Sequence, residues 1–431
     1  MRMPDGPDPD SLSPATPRNF QKMVGRKIIH APRIHRPVRC VLKIVMAGLL
    51  FAAGCTNHAS ETADARSGGA RFDPKTKAYR VHPGESIQAA LDAAANDPVH
   101  KTVIVQAGTY RPAEPGPALI WFNGRHEGIT LEAEGDVVLT AANPDIADRS
   151  APSYPAVVTH VVFFGDGISR RTVLRGFKIT GANNYIHDRR ELLKLEPNVV
   201  FRKGLVFYRD GGGIKILGRS YPTIENVEVY GNYTGICGGG ASVEHWEGVS
   251  DQSVLFKNCI FRDNRTGVTG SAIDLLYDSS ATIENCLFVG NVSNTGADSK
   301  GISPDLLRYN EEHGSGALTV FPRSRATVTN STFADNRSGV DDKGTGSRYE
   351  NNIFWNNIRS GGTYELDLSV GTFVTGNFIH GENNDLRGVI SSSRNTLDPE
   401  DPLFDAGFVP QSEKFRGVGY RPLNRDLSAG R

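Results

Sequence analysis

The sequence predicts an all-β fold in which short coils stack into a parallel β-helix, a solenoid with a helix over its N-terminal end. The first observation behind this prediction is a repeat: five segments share one spacing of asparagines. The second is that apolar and polar residues alternate with a period of two within each segment, as in short strands. A unit of this size cannot bury its apolar side alone, so units must stack, with parallel ladders about 4.8 Å apart.

The repeat is defined by asparagine at its fourth and tenth places. The segments are TIENVEVYGN (223–232), LFKNCIFRDN (255–264), TIENCLFVGN (282–291), TVTNSTFADN (327–336) and RYENNIFWNN (348–357). Asparagine tolerates the left-handed backbone of sharp turns, and stacked asparagine side chains form hydrogen bonds along a ladder. We therefore assign turn and ladder roles to these asparagines and offer none of them as catalytic.

The segment before the repeats predicts a cap for the open end of the core. In YRVHPGESIQAALDAAANDPVHKTVIVQAGTYR (79–111), one helical face carries Ile87, Ala90, Leu91 and Ala94. With this opening, the repeats and the closing DPLF (401–404), the chain resembles the pectin-lyase-like superfamily over roughly residues 79–405. The resemblance implies a single-stranded right-handed parallel β-helix with an N-terminal capping helix. It implies no single activity, because this fold hosts lyases, hydrolases, epimerases and non-catalytic adhesins.

Charge and length exclude several classes of protein. The chain has 431 residues, with 48 Lys and Arg against 48 Asp and Glu. This neutrality gives no support for nucleic-acid binding, and we expect no nucleic-acid partner. No run of about 18 apolar residues is present, which excludes a multi-pass membrane protein. Beyond residue 54 the balance is 39 basic to 45 acidic residues, because the basic excess lies at the N-terminus.

The N-terminal region has the pattern of an export signal. Basic residues precede the short apolar stretch IVMAGLLFAAG (44–54), which is followed by Cys55. The sequence Ala-Ala-Gly-Cys resembles the lipobox of bacterial lipoproteins, which implies lipidation of Cys55. We therefore expect a signal region at 1–54, a flexible tether at 55–78 and a monomer anchored through lipid to a membrane of the bacterial cell envelope. An ordinary cleaved signal with an incidental cysteine is the alternative.

The expected β-helix spans residues 79–405, and a C-terminal tail follows at 406–431. Two insertions, at 184–210 and 292–314, interrupt the stack and are expected either to wall a binding groove or to decorate the surface. Only Cys237, Cys259 and Cys286 remain after the signal and Cys55, so no disulfide scaffold is expected. Cys259 and Cys286 are predicted to be buried thiols on neighbouring coils.

A further strand precedes each repeat at a nearly constant offset, and it predicts a column of outward side chains. The expected members are Lys215, Ser242, Asp274, Thr319, Asp341 and Glu365. Related polysaccharide lyases and hydrolases bind substrate on this face, so the resemblance implies an open groove here. For outward charges on a β-helix, however, solvated surface is the commoner role.

The candidate site residues mix bases, acids and aromatics, as sugar-processing sites do. The candidate catalytic residues are Lys215, Asp274, His245 and Glu244, with Lys215 as the base that abstracts a proton beside a uronate carboxylate. The candidate substrate-binding residues are Arg209, Arg219, Trp246, Tyr277 and Asp341. No resident metal site and no certain cofactor is predicted, although Asp274, Asp341 and Asp342 carry the oxygen ligands that Ca²⁺ takes.

These residues give three functional hypotheses. The first is an envelope lipoprotein that binds acidic polysaccharide, with or without its cleavage by β-elimination. The second is a non-catalytic structural or adhesive surface protein, favoured by the absence of any family's catalytic motif. The third is a C5-epimerase, which shares the proton-abstraction step. Hydrolysis is less favoured than elimination, because Asp274 and Asp341 are expected roughly 10 Å apart, at the loose end of the range for paired carboxylates.

Overall fold

A computed structural model describes residues 71–188, 208–296, 314–358, 364–369, 371–381, 386–388, 391–398 and 400–423. The signal region, Cys55 and most of both insertions lie outside these residues. None of the helices in this part of the chain has the length and apolar character of a membrane-spanning segment. The described chain is a parallel β-helix, as the sequence predicts, with three strand ladders per coil.

The first ladder is a nine-stranded sheet. Its strands are β4 (Gly116–Phe122), β6 (Val158–Phe164), β9 (Ile214–Gly218), β13 (Ala241–His245), β17 (Ile273–Leu275), β20 (Leu318–Val320), β23 (Val340–Asp342), β26 (Leu366–Leu368) and β29 (Leu386–Gly388). Each strand pairs in parallel with the strand one coil away, so residues far apart in the sequence become neighbours.

The second and third ladders form the other walls of the helix. The second contains β2 (Ala78–Val81), β3 (Thr102–Tyr110), β5 (Thr130–Thr140), β7 (Val173–Arg175), β10 (Thr223–Glu225), β14 (Val254–Lys257), β18 (Ser280–Glu284), β21 (Arg325–Thr329), β24 (Arg348–Glu350), β27 (Phe373–Thr375) and β30 (Ser391–Ser393). The third contains the ends of β3 and β5, then β8 (Lys178–Thr180), β11 (Glu228–Tyr230), β15 (Ile260–Arg262), β19 (Leu287–Val289), β22 (Thr332–Ala334), β25 (Ile353–Trp355), β28 (Phe378–His380) and β31 (Thr396–Asp398). Short strands β12 (Tyr233–Thr234) and β16 (Arg265–Thr266) pair beside it.

The asparagines of the repeat take the two roles that the sequence predicts. Those at the fourth place lie between the second and third ladders with φ between 50° and 57°, the left-handed turn conformation. Those at the tenth place form a buried hydrogen-bonded ladder, Asn232, Asn264, Asn291, Asn336 and Asn357, in which each side-chain amide donates to the next side-chain oxygen. Glu365 ends this ladder, because both its oxygens accept from Asn357.

Phenylalanines stack inside the helix and confirm the predicted register of the coils. The rings of Phe261, Phe288, Phe333 and Phe354 follow one another at centroid distances of 5.3, 4.2 and 5.1 Å. All four side chains are fully buried. Cys237, Cys259 and Cys286 are buried free thiols, and the last two lie on neighbouring coils as expected.

The N-terminal cap is confirmed. Helix α1 (Ile87–Asn96) buries Ile87, Ala90, Leu91 and Ala94, the face that the sequence predicts, and Ser86 caps its first turn. A 3-10 helix at Gly124–His126 packs beside it. The tether prediction ends too late, because β1 (Arg71–Asp73) already forms an antiparallel hairpin with β2.

The C-terminal segment is also more ordered than a tail. A 3-10 helix at Glu413–Phe415 buries Phe415, whose ring lies 4.5 Å from that of Phe378. The chain then runs back along the outside of the third ladder. The backbone of Arg421 exchanges two hydrogen bonds with the side chain of Asn285, and the Tyr420 N–H donates to Thr332 Oγ1. We call residues 415–421 the strap.

Candidate functional site

The register of the first ladder brings several of the predicted site residues together. Lys215 pairs with Ser242, and Ser242 pairs with Asp274, so the three side chains lie on the outer face at successive coils. The column continues through Thr319 and Asp341, as the sequence predicts.

Lys215 is the centre of a polar cluster on this face. Its ammonium Nζ lies 3.2 Å from Ser242 Oγ and 3.2 Å from Glu244 Oε2. Ser242 Oγ in turn lies 3.5 Å from Asp274 Oδ2. The cluster therefore unites three of the four candidate catalytic residues.

Sequence reasoning missed a third carboxyl near the cluster, that of Asp210, which precedes β9. Its Oδ1 accepts a hydrogen bond from the Cys237 N–H at 3.1 Å. Burial raises the pKa of Asp210 well above its usual value, and the nearby charge of Asp274 adds to the shift. The acidic residue before a Gly-Gly-Gly run was visible in the sequence, but nothing there showed that this run folds over the face.

The face is closed rather than open, which corrects the expected groove. Lys215, Glu244 and Asp274 have no exposed surface. The chain that leads into each strand lies directly over the column: a Cβ on Gly238 would come within 2.1 Å of Asp274 Oδ1 and 2.8 Å of Ser242 Cβ. Because a polymer cannot reach these groups in the described conformation, they do not form an accessible catalytic groove.

His245 does not join the cluster. Its Nε2 lies 2.9 Å from the carbonyl oxygen of Ser220, and its Nδ1 accepts from the Ser280 N–H at 3.3 Å. The ring is buried 4.6 Å from that of Tyr221. These contacts assign His245 to the packing between two coils and leave it no path to substrate.

The prediction of Glu365 as a column member is wrong by two residues. Leu366 of β26, not Tyr364, aligns with Val340, so Asp367 faces outward beside Asp341. The reason is a shorter link to the second ladder. Leu366 lies eight positions before Val374, whereas Ile214, Ile273 and Leu318 each lie ten positions before the aligned residue of the second ladder. Glu365 instead ends the asparagine ladder.

Asp341 is nearly buried, and only 4 % of its side chain is exposed. Burial raises its pKa to about 7, although Lys343 opposes the shift from a distance of 3.5 Å. Lys343 also pairs with Asp367 at 2.7 Å. Asp341 therefore faces its own chain more than solvent, which argues against the predicted contact with substrate.

Asp274, Asp341 and Asp342, whose oxygens are of the kind that Ca²⁺ takes, do not converge on one point. Asp342 accepts hydrogen bonds from Tyr349 Oη and from the Gly344 N–H, both at 2.7 Å. Among the residues that the structure describes, no group of three metal-binding side chains lies close enough together to hold an ion.

Three of the predicted substrate-binding residues lie on an accessible strip where the first-ladder strands end. This strip, which we call the rim, contains Asp166, Arg219, Trp246, Glu247, Tyr277, Asp278, Phe321 and Arg323. Four of its members, Arg219, Trp246, Asp278 and Arg323, each lie three residues after an aligned inward residue of a strand. This constant offset was available in the sequence and would have added Asp278 and Arg323 to the candidates.

Ion pairs link the first three coils of the rim and, separately, its last two. Arg219 pairs with Asp166 at 2.5 Å and lies 3.9 Å from Glu247. The next loop follows closely, since a Cβ on Gly248 would lie 4.0 Å from Asp278 Cβ. Arg323 then pairs with both oxygens of Asp278, at 2.7 and 2.9 Å.

Aromatic rings lie between these charges. Tyr277 and Phe321 have centroids 5.2 Å apart, and the Arg323 guanidinium lies 5.5 Å from the centroid of Tyr277. Trp246 is partly buried and packs at the edge of a cluster that includes Trp121, Phe163 and Leu217. Arg209 is half-buried and lies between Tyr208 and Asp210 in the chain, just before β9. It is not a member of the rim.

Comparisons with known proteins agree with the fold. Residues 123–304 match a family model described as a right handed beta helix region. Similar solved structures include a pectate lyase, Pel9A (15% identity, 77% of this chain and 80% of that chain, TM-score 0.38). Others are a pectin methylesterase from Yersinia enterocolitica (11%, 76% and 94%, 0.32) and the A-module of a mannuronan C-5 epimerase, AlgE6, from Azotobacter vinelandii (16%, 73% and 93%, 0.32). A comparison with curated proteins finds no match. Because these TM-scores lie below 0.5, the likeness to these structures carries no argument about this chain.

Proposed function

We propose that this chain is a polysaccharide-binding protein of the bacterial cell envelope and that the rim is its binding surface. The observation that carries the proposal is the strip of two sets of ion pairs and partly exposed aromatic rings across the ends of five first-ladder strands. Five coils extend over about 19 Å at the ladder spacing, which suits several sugar units of an extended polymer.

The chemistry of the rim matches what a sugar ring presents. Tyr277 and Phe321 are partly exposed, and aromatic rings of this kind offer apolar surface to the C–H side of a pyranose. The carboxylates accept hydrogen bonds from hydroxyls, while the guanidiniums of Arg219 and Arg323, exposed by 53% and 66%, donate to ring and hydroxyl oxygens.

A glycan array followed by two variants tests the proposal. Tyr277→Ala and Arg323→Ala are each expected to weaken binding to the best glycan at least tenfold, equivalent to about 1.4 kcal/mol. Arg262→Ala is the matched control, because Arg262 lies over Tyr230 and pairs with Glu228 on the third ladder. Equal losses from all three variants, or no retention of any glycan, would remove the rim as the binding surface.

Cleavage by β-elimination is the second candidate function. The observation in its favour is the convergence of Lys215, Glu244 and Asp274. Their complete burial weighs against it, so binding without turnover, as in an adhesive or structural protein, is the reading we prefer. Unsaturated uronate products from any polymer of the array, lost in a Lys215→Ala protein that is shown to be still folded, would reverse this preference.

Export and anchoring belong to the same proposal. The basic and apolar pattern before Cys55 supports lipidation at that residue and display on the cell envelope. An acyl group on the N-terminal Cys55 peptide, detected by mass spectrometry, is the expected result, and an unmodified Cys55 or a mature protein beginning elsewhere would contradict it.

A further inference from the structure

We infer that the rim is built for an uncharged polysaccharide rather than for an acidic one. This inference rests on the proposed function, and it departs from the acidic polymer that the sequence led us to expect. It follows from the ion pairs that the charged side chains of the rim already form with one another.

Arg323 is committed to a carboxylate of its own chain. Its Nε and Nη2 donate to the two oxygens of Asp278 at 2.7 and 2.9 Å, the bidentate geometry that a uronate would need. A sugar carboxylate that took this place would displace Asp278 from the guanidinium and bring two negative charges close together.

Arg219 is held in the same way. Its Nε and Nη2 donate to Asp166 at 3.0 and 2.5 Å, and its backbone N–H donates to the same aspartate at 2.8 Å. The Asp166 hydrogen bond raises the pKa of the guanidinium, and Glu247 lies 3.9 Å away on the other side. An acidic ligand would therefore meet two carboxylates around one arginine.

The sum of charges points the same way. The rim holds three carboxylates, Asp166, Glu247 and Asp278, against two guanidiniums, and so carries one net negative charge. Lys343, on the outer face of the same ladder, is paired with Asp367 at 2.7 Å. Because like charges repel an approaching polyanion, electrostatics at the rim oppose a uronate polymer.

A neutral sugar meets no such obstacle. An arginine–carboxylate pair keeps open lone pairs on the acid and unused N–H groups on the guanidinium, and hydroxyls can use both without breaking the pair. Asp278 is 32% exposed and Arg323 is 66% exposed, so both are reachable. With Tyr277 and Phe321 beside them, the set offers an apolar ring face edged by donors and acceptors.

The test uses the purified full chain against matched polymers: neutral glucans, mannans and galactans, and the sulfated or carboxymethylated form of each. We expect retention of at least one neutral polymer with an affinity that changes little with salt, and at least tenfold weaker binding of its anionic form. Binding of anionic polymers alone, weakened by salt and by Tyr277→Ala, would overturn the inference and keep the proposed function. Binding of no polymer would overturn both.

A charge-releasing variant gives the inference a second test. Asp278→Asn should free Arg323 and raise affinity for the anionic polymer about tenfold, with a smaller change for the neutral one. Glu228→Gln removes one of the two carboxylates that pair with Arg262 on the third ladder, where Asp263 remains at 3.1 Å. It is the matched control for loss of a carboxylate away from the rim and is expected to change neither affinity. An Asp278→Asn protein whose anionic affinity equals that of the wild type would contradict the account.

Discussion

At the scale of single residues, burial decides what the charged side chains of the first ladder do. Sequence position and register place Lys215, Asp274 and Asp341 in one column, and this much could be predicted from the repeat. The burial of these side chains could not be predicted, because it depends on how the chain before each strand folds over the face. The result is a group of buried charges that are held by partners in the same chain. We therefore assign these side chains a structural role.

Lys215→Ala is therefore expected to reduce stability rather than glycan binding. Removing the ammonium leaves Glu244 buried without its partner at 3.2 Å, and breaking a buried pair costs roughly 3–5 kcal/mol. Lys343→Ala, at a 43%-exposed lysine, is the control and is expected to cost about 1 kcal/mol or less. Denaturant unfolding measures both values, and a Lys215→Ala protein as stable as the control would refute the buried role.

Asp341 is expected to make stability depend on pH. Its pKa rises from 3.8 to about 7 on folding because the carboxyl is buried, so the folded protein holds this proton more tightly than the unfolded chain does. Its contribution to stability is present in full below its ordinary pKa and is lost as the pH rises through about 7.

Thermal unfolding across this range checks the pH dependence. The wild type should lose several degrees of Tm between about pH 5 and about pH 8, and Asp341→Asn should lose less. Asp263→Asn, at a 61%-exposed side chain, should follow the wild type. Identical curves for the wild type and Asp341→Asn would show that this carboxyl does not titrate in the folded protein.

At the scale of elements, the sequence predicts the structures that recur from coil to coil or follow from local chemistry. It does not predict structures that occur once and depend on distant contacts. The capping helix, the left-handed turns and the asparagine ladder each follow from local chemistry or from stacking, and all are confirmed. The strap was expected to be a plain tail, because its contacts join Arg421 to Asn285, residues 136 positions apart. No local pattern reports such a contact.

Glycine at position 419 is expected to be essential for the strap. A Cβ there would lie 2.6 Å from Ile353 Cδ1 and 2.7 Å from Thr332 Oγ1, at a φ of 78°. Gly417 has a similar φ of 82° but open space around it, so Gly417→Ala isolates the backbone strain. Gly419→Ala should lower the Tm more than Gly417→Ala, and equal losses would show that the strap does not pack as described.

At the scale of the whole molecule, the stack of coils produces a long accessible surface from short loops. The rim exists because strand ends recur at one offset, which places Arg219, Asp278 and Arg323 in a row. The position of this row could be predicted from the sequence, whereas the pairing of each arginine with a carboxylate required the structure. Because each arginine is already paired with a carboxylate, the rim favours a neutral polysaccharide over an acidic one.

Hydrogen exchange with and without the best-retained oligosaccharide tests the central claim most directly. If the rim binds sugar, amides of residues 246–248, 276–278 and 321–323 should exchange more slowly in the complex, while those around Arg262 keep their rates. Protection confined to the third ladder or the strap, with the rim unchanged, would contradict the account.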